Sequence, residues 1–233
     1  MYDIAVLAGG KATRLGKMTE NIPKSLIDIN GRPFIYHQLK LLEKNGFKHV
    51  VLCLGKFGEL IEDYLETFDL AMDVDFSYDG YELLGTGGAI KNALPSLGDN
   101  FFVLYGDSYL PIKYKKIENY YSMKSEVGLM TIYKNTNSLH KNNVAVDNNQ
   151  IIAYDKNECN HNMQYIDYGL GIFNKEVFYS TQLRSFDLSE VYKHLIKYNQ
   201  LLAYEIKQQF YEVGSLEGIE EFRKYIEEKD GIY

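Results

Sequence analysis

Along the first hundred residues, apolar positions recur with two alternating periods, and each switch predicts an element. Asp3-Ile-Ala-Val-Leu7 is a short β-branched run that stops at Gly9-Gly10, the pattern of a buried strand feeding a loop. Pro33 opens a helix with Phe34, Ile35, Leu39, Leu41 and Leu42 on its apolar side, ending at Asn45-Gly46. Proline in the first turn and glycine just past the last suit those ends. Val50–Leu54 reads as a second strand and Gly58–Leu65 as a second helix, with Glu59-Leu-Ile-Glu-Asp63 supplying its solvated face. Phe76–Tyr78 is a short third strand. Gly85-Thr-Gly-Gly88 opens a helix through Ala93, and the apolar Phe101–Tyr105 is a fourth strand ending at Gly106-Asp107. Strands alternating with helices imply parallel strands joined by crossover helices.

Past Asp107 the rhythm changes. Val127–Tyr133, Asn143–Val146, Ile151–Tyr154 and Leu170–Phe173 are strands with little helix between them, so this half is expected to be mixed or antiparallel. Asp187–Lys197 is a helix with Asp187 as its N-cap, Leu201–Ile206 a late strand, and Ser215–Ile226 a closing helix capped by Ser215. No internal repeat, low-complexity tract or linker divides the 233 residues. The expectation is one α/β domain: an open, mostly parallel sheet with helices on both faces and a mixed or antiparallel C-terminal part.

Charge narrows the partners. A net charge of −7 and a pI near 5.3 argue against a nucleic-acid or anionic-membrane surface. Only four arginines are present, Arg14, Arg32, Arg184 and Arg223, so an anionic substrate must be held by a few local cations. No apolar stretch approaches the ~18 residues of a membrane span, and the N-terminus opens on a strand, so the expected location is cytoplasmic. Cys53 and Cys159 make no disulfide framework, and Cys53 reads as a buried strand residue. The five histidines show no metal-ligand spacing. The tyrosines read as packing residues.

Candidate chemistry concentrates in Leu7-Ala-Gly-Gly-Lys-Ala-Thr-Arg-Leu15, followed by Pro23-Lys24. Glycines after a buried strand let backbone N–H groups approach phosphates. Thr13 adds a hydroxyl, Arg14 a planar fork and Lys24 a mobile charge. The segment is neither a P-loop nor a dinucleotide fingerprint. Asp107, at the carboxyl end of a central strand, faces the crevice where open α/β sheets bind ligands, and a metal is a natural companion for it.

Here the sequence resembles the sugar-1-phosphate nucleotidylyltransferases, whose signature is Gly-x-Gly-Thr-Arg, a short spacer, then Pro-Lys. The likeness runs from Ile4 to about Tyr225, with one departure: Ala12 stands where the second signature glycine would be. The resemblance implies a Rossmann-like nucleotidyltransferase fold, with residues 1–110 as the nucleotide-binding half and 111–233 as the sugar-binding half. It implies transfer of a nucleoside monophosphate from an NTP to a hexose or heptose 1-phosphate, releasing pyrophosphate, in NDP-sugar and cell-surface polysaccharide biosynthesis. Arg14 and Lys24 are then catalytic, and Leu7, Ala8, Gly9, Gly10, Thr13 and Gly85, Thr86, Gly87, Gly88 bind the nucleotide. Asp155, Lys156, Tyr168 and Gly169 bind the sugar phosphate, and Asp107 and Glu212 hold Mg²⁺. Base selectivity falls to Leu7–Gly9 and Tyr78–Leu84, with UTP or GTP favoured, and a homo-oligomer is possible. Two other readings stay open: a cytidylyltransferase for phosphocholine or another small phosphorylated alcohol, and a catalytically silent nucleotide-binding regulatory subunit.

Overall fold

The computed structural model of the protein describes residues 1–10, 21–135, 141–156 and 162–230. In chain order, β1 is Asp3–Leu7, β2 Asp28–Ile29, β3 Arg32–Pro33, α1 Phe34–Lys44, β4 His49–Leu54, α2 Gly58–Leu65, β5 Asp73–Tyr78 and α3 Gly85–Ala93. Then follow β6 Asn100–Tyr105, β7 Ser108–Tyr109, α4 Tyr114–Ser122, β8 Gly128–Lys134, β9 Val144–Asp147 and β10 Gln150–Tyr154. The rest are β11 Tyr165–Asn174, α5 Glu176–Tyr179, α6 Leu188–Lys197, β12 Leu201–Ile206, β13 Tyr211–Glu212 and α7 Leu216–Asp230.

Nine strands form one sheet in the order β5-β4-β1-β6-β11-β8-β12-β10-β9. The first four are mutually parallel. Beyond them the sheet is mixed: β11 runs antiparallel to β6 and β8, while β12 is parallel to β8. Strand alternation sends Ile4, Val6 and Leu52 into a core under α1, α2 and α4, and Ala5, Val51 and Cys53 into a second core under α3, α5 and α6. A third, smaller core joins Phe34, Tyr109, Val213 and Phe222 beneath α7.

Two helices, α4 and α5, were not expected from the sequence, and β5 and β11 start earlier than the apolar runs Phe76–Tyr78 and Leu170–Phe173. In each strand the additional residues are more polar and are held by ladder pairing, not by apolar pattern. Among the described residues no helix is long and apolar enough to cross a membrane.

Candidate active site

Because β5, β4, β1 and β6 are parallel, their carboxyl ends (Tyr78, Leu54, Leu7 and Tyr105) emerge on one edge. The strand ends are pressed together there. A Cβ on Gly9 would lie 2.8 Å from the Gly55 nitrogen, and one on Gly106 would lie 2.4 Å from the Leu7 oxygen. Both glycines therefore serve strand packing. Gly10 has nothing within 4 Å and opens onto the cleft. The cleft has two lobes, of about 370 Å³ and 460 Å³, that share Tyr105 and Asp107.

The first lobe is lined by Leu7, Ala8, Gly9, Gly10, Gly85 and Thr86 of the expected nucleotide set, and by Lys24, expected to be catalytic. Lys24, at the head of a 3₁₀ turn, donates from Nζ to Asp107 Oδ2 at 2.9 Å. Thr13 and Arg14, with Ala12 between them and Gly10, lie outside the described residues. Gly87 and Gly88 do not line the lobe. Their N–H groups donate to the Phe186 carbonyl, and a Cβ on Gly88 would meet the Arg184 oxygen at 2.4 Å. These glycines let residues 184–186 dock against α3. The Thr86 hydroxyl is also engaged, donating to Asp187 and accepting from the Leu188 N–H.

Two further groups line this lobe: Cys53, expected as a buried strand residue, and Asp79, within the Tyr78–Leu84 stretch expected to select the base. Cys53 lines it from β4, and burial, followed by the neighbouring Asp79, pushes its thiol up to about 12, so it stays protonated. Asp79, just past β5, is only 7% exposed yet lines the lobe, with Oδ2 accepting from the Leu84 N–H at 3.2 Å. Burial raises its carboxyl above the ordinary range, partly offset by that hydrogen bond.

The second lobe gathers Lys156, Tyr168, Gly169, Asp107 and Glu212. Asp155 is not on its wall; Tyr154, at the end of β10, and Lys156, two residues past it, are. Tyr168 is 1% exposed and packs on Phe210, and its hydroxyl donates to the carbonyls of Gln208 and Gln209. That hydroxyl is committed to the backbone, while the residue itself lines the lobe. Its neighbour Asp167 presents a carboxylate to the lobe. A register shift in β11 between Asp167 and Gly171, with Gly169 at φ +92°, accompanies its turn into the lobe. Its Oδ1 accepts from the Gly169 N–H at 3.0 Å, and its Oδ2 from Tyr154 and Tyr105 at 3.1 and 3.3 Å. Burial, then Asp167 beside them, holds both tyrosines well above their ordinary range, so they remain donors.

Asp107 and Glu212 converge where β7 and β13 pair, Glu212 standing opposite Ser108. A Cβ on Gly214 would lie 3.6 Å from Glu212 Oε1 and 3.8 Å from Asp107 Oδ2, so both carboxylates border the space this glycine leaves. Among the described residues no three His, Cys, Asp or Glu side chains converge on a metal position. Two carboxylates suffice for a hard cation that takes its remaining ligands from phosphates and water, so the donor set fits Mg²⁺.

Residues 4–113 match the family model of the MobA-like NTP transferase domain. The chain is 30% identical over 196 residues to the D-glycero-α-D-manno-heptose 1-phosphate guanylyltransferase of Campylobacter jejuni, covering 82% of this chain and 86% of that one. It is 27% identical over 175 residues to the enzyme of the same name from Aneurinibacillus thermoaerophilus, covering 74% and 75%. The crystal structure of HddC from Yersinia pseudotuberculosis complexed with GMP-PN superposes with a TM-score of 0.83 at 27% identity, over 97% of this chain and 100% of that one.

Proposed function

We propose that this chain, which belongs to the sugar-1-phosphate nucleotidylyltransferases, uses GTP as its nucleotide and a heptose 1-phosphate as its acceptor. The reaction class is that of the family: a nucleoside monophosphate passes from an NTP to a sugar 1-phosphate and pyrophosphate leaves. The names of the two bacterial relatives support the substrate pair. Within the chain, Asp79 carries the choice of base. A carboxylate is acceptor-only, and guanine presents N1–H and N2–H donors side by side on one edge. A buried carboxylate on the nucleotide wall suits that edge and rewards no other base with two hydrogen bonds.

The first lobe and residues 1–110 are read as the nucleotide half, and the second lobe and residues 111–233 as the sugar half. In the transfer, a sugar-phosphate oxygen attacks the α-phosphorus, and the bond from that phosphorus to the leaving pyrophosphate oxygen breaks. The attacking oxygen is already anionic, so no general base is needed. The barrier is the approach of two anions and charge growing on the leaving group, which makes positioning and electrostatics the catalytic means. Lys24, already in the cleft on Asp107, neutralises triphosphate oxygens together with Arg14. Lys156 holds the sugar phosphate in the second lobe. Mg²⁺ held by Asp107 and Glu212 would further offset phosphate charge there.

The test is pyrophosphate release across four NTPs and a panel of sugar 1-phosphates, with Asp79→Asn alongside. GTP with a manno-configured heptose 1-phosphate should give the highest kcat/KM. Asp79→Asn should cut the preference for GTP by roughly 10–10²-fold, the scale of one bidentate hydrogen-bonded base contact. A wild-type preference for UTP or CTP would overturn the nucleotide assignment.

A further inference from the structure

Asp187 stands between the two lobes, and the sequence marks it only as the N-cap of α6. That duty needs one acceptor, here Oδ1 taking the Ser189 N–H at 2.8 Å, and Asn would serve as well. The carboxylate does more. Oδ1 also accepts from Lys156 Nζ at 2.8 Å, and Oδ2 accepts from the Thr86 hydroxyl at 3.0 Å. Thr86 in turn accepts from the Leu188 N–H at 2.8 Å. One side chain thus ties the head of α3, which walls the nucleotide lobe, and the head of α6 to a lysine two residues past β10 on the wall of the sugar lobe. Burial alone would raise the Asp187 carboxyl, but the hydrogen bonds from Lys156 and Ser189 outweigh it and hold it below the usual carboxylate range.

The pair is an inefficient way to gain stability. The Lys156 and Asp187 side chains are 36% and 46% exposed, and ion pairs so open to water contribute little. Placement is a better use for it. A free lysine is long and flexible, and ordering it on substrate arrival costs binding energy. Anchored at one N–H, the ammonium retains two donors, 6.0 Å from the centre of the Tyr105 ring shared by both lobes.

We propose that Asp187 is a positioning residue for the transfer: it holds Lys156 at the junction of the lobes, so that the ammonium meets the sugar phosphate beside the nucleotide. The proposal rests on the reading of Lys156 as the sugar-phosphate cation. The experiment is a double-mutant cycle of Asp187→Asn and Lys156→Ala, with kcat and KM measured separately for NTP and sugar 1-phosphate. Asp187→Asn keeps the cap and removes the charge. It should lower kcat/KM for sugar 1-phosphate roughly tenfold, leave the KM for NTP within about twofold, and leave Tm within about 2 °C. Lys156→Ala should cost more, and adding Asp187→Asn to it should change little, because the two act as one unit. If Lys156→Ala leaves sugar-phosphate kinetics unchanged, the reading of Lys156 and the proposal both fall. If Lys156→Ala is severe but Asp187→Asn is silent, or if the two losses multiply, Asp187 does not act through Lys156 and the proposal alone is overturned.

Discussion

Asp167 shows how much a single half-buried charge can be asked to bear. Its carboxylate accepts three hydrogen bonds, from Gly169, Tyr154 and Tyr105, yet burial still pushes it above the ordinary carboxylate range. The sign of its contribution follows. A folded pKa above the unfolded value means that the folded protein holds the proton more tightly. Stability is therefore lost as pH rises from the unfolded value, about 3.9 for aspartate, through the raised folded one. Asn at this position keeps an acceptor for Gly169 and offers N–H donors to the tyrosine oxygens without a charge to bury. Asp167→Asn should accordingly raise Tm at neutral pH, and the gain should shrink as pH falls through that window. Thermal denaturation between pH 4 and 8 checks this, and a neutral-pH loss would mean that the hydrogen bonds outweigh the burial. Asp167 also illustrates what a sequence exposes of a site. Lys24 was legible from its motif and Asp107 from its strand end, whereas Lys156 and Glu212 came only through the family resemblance. Asp79 was legible only within the Tyr78–Leu84 stretch and Asp187 only as a cap; the Lys156 and Thr86 partners of Asp187, and the Tyr105 and Tyr154 partners of Asp167, meet them only in the folded chain.

At the scale of elements, the glycines of α3 reverse an ordinary expectation. Within a helix, Gly→Ala normally stabilises by up to about 1 kcal/mol. At Gly88 the added Cβ would meet the Arg184 backbone oxygen at 2.4 Å, which no side-chain rotation relieves. Overpacking of that kind costs about 1–3 kcal/mol, so strain wins. Gly88→Ala should lower stability by about 1–2 kcal/mol, roughly 2–8 °C in Tm for a chain of this size. It should also raise the KM for NTP, because the docked segment sets where Gly85 and Thr86 stand. A stabilised variant would show that residues 184–186 yield freely. The same helix was readable from sequence with its observed ends, as were β1, α2 and β12, since each has a clean period and marked termini. Helix α4 was not. Its inward residues are Tyr114, Ile117, Glu118 and Tyr121, helical in spacing but with tyrosines and an acid in place of aliphatic side chains. In the glycine-rich opening of α3, Gly87 leaves room for the Phe186 ring and Gly88 for the Arg184 backbone.

Across the whole molecule, the seam between β6 and β11 organises the cleft. On one side four parallel strands end on a common edge, and on the other the mixed strands form the wall of the second lobe. The small β7–β13 ribbon crosses that division and brings Glu212 beside Asp107, which no local pattern could do because the two lie 105 positions apart in the chain. If both carboxylates hold one Mg²⁺, they act as a unit. Asp107→Asn and Glu212→Gln should each raise the Mg²⁺ concentration needed for half-maximal pyrophosphate release, with turnover reduced by roughly 10²-fold or more at low Mg²⁺. The double variant should be scarcely worse than the poorer single, since the second substitution removes a ligand from an ion already lost. Asp107→Asn also frees Lys24 from its 2.9 Å partner, so it should be the poorer of the two singles. Mg²⁺ titrations of all four proteins measure this directly. Strictly multiplicative losses, or a Glu212→Gln variant with an unchanged Mg²⁺ requirement, would place the ion on Asp107 alone and reduce β13 to a structural strand.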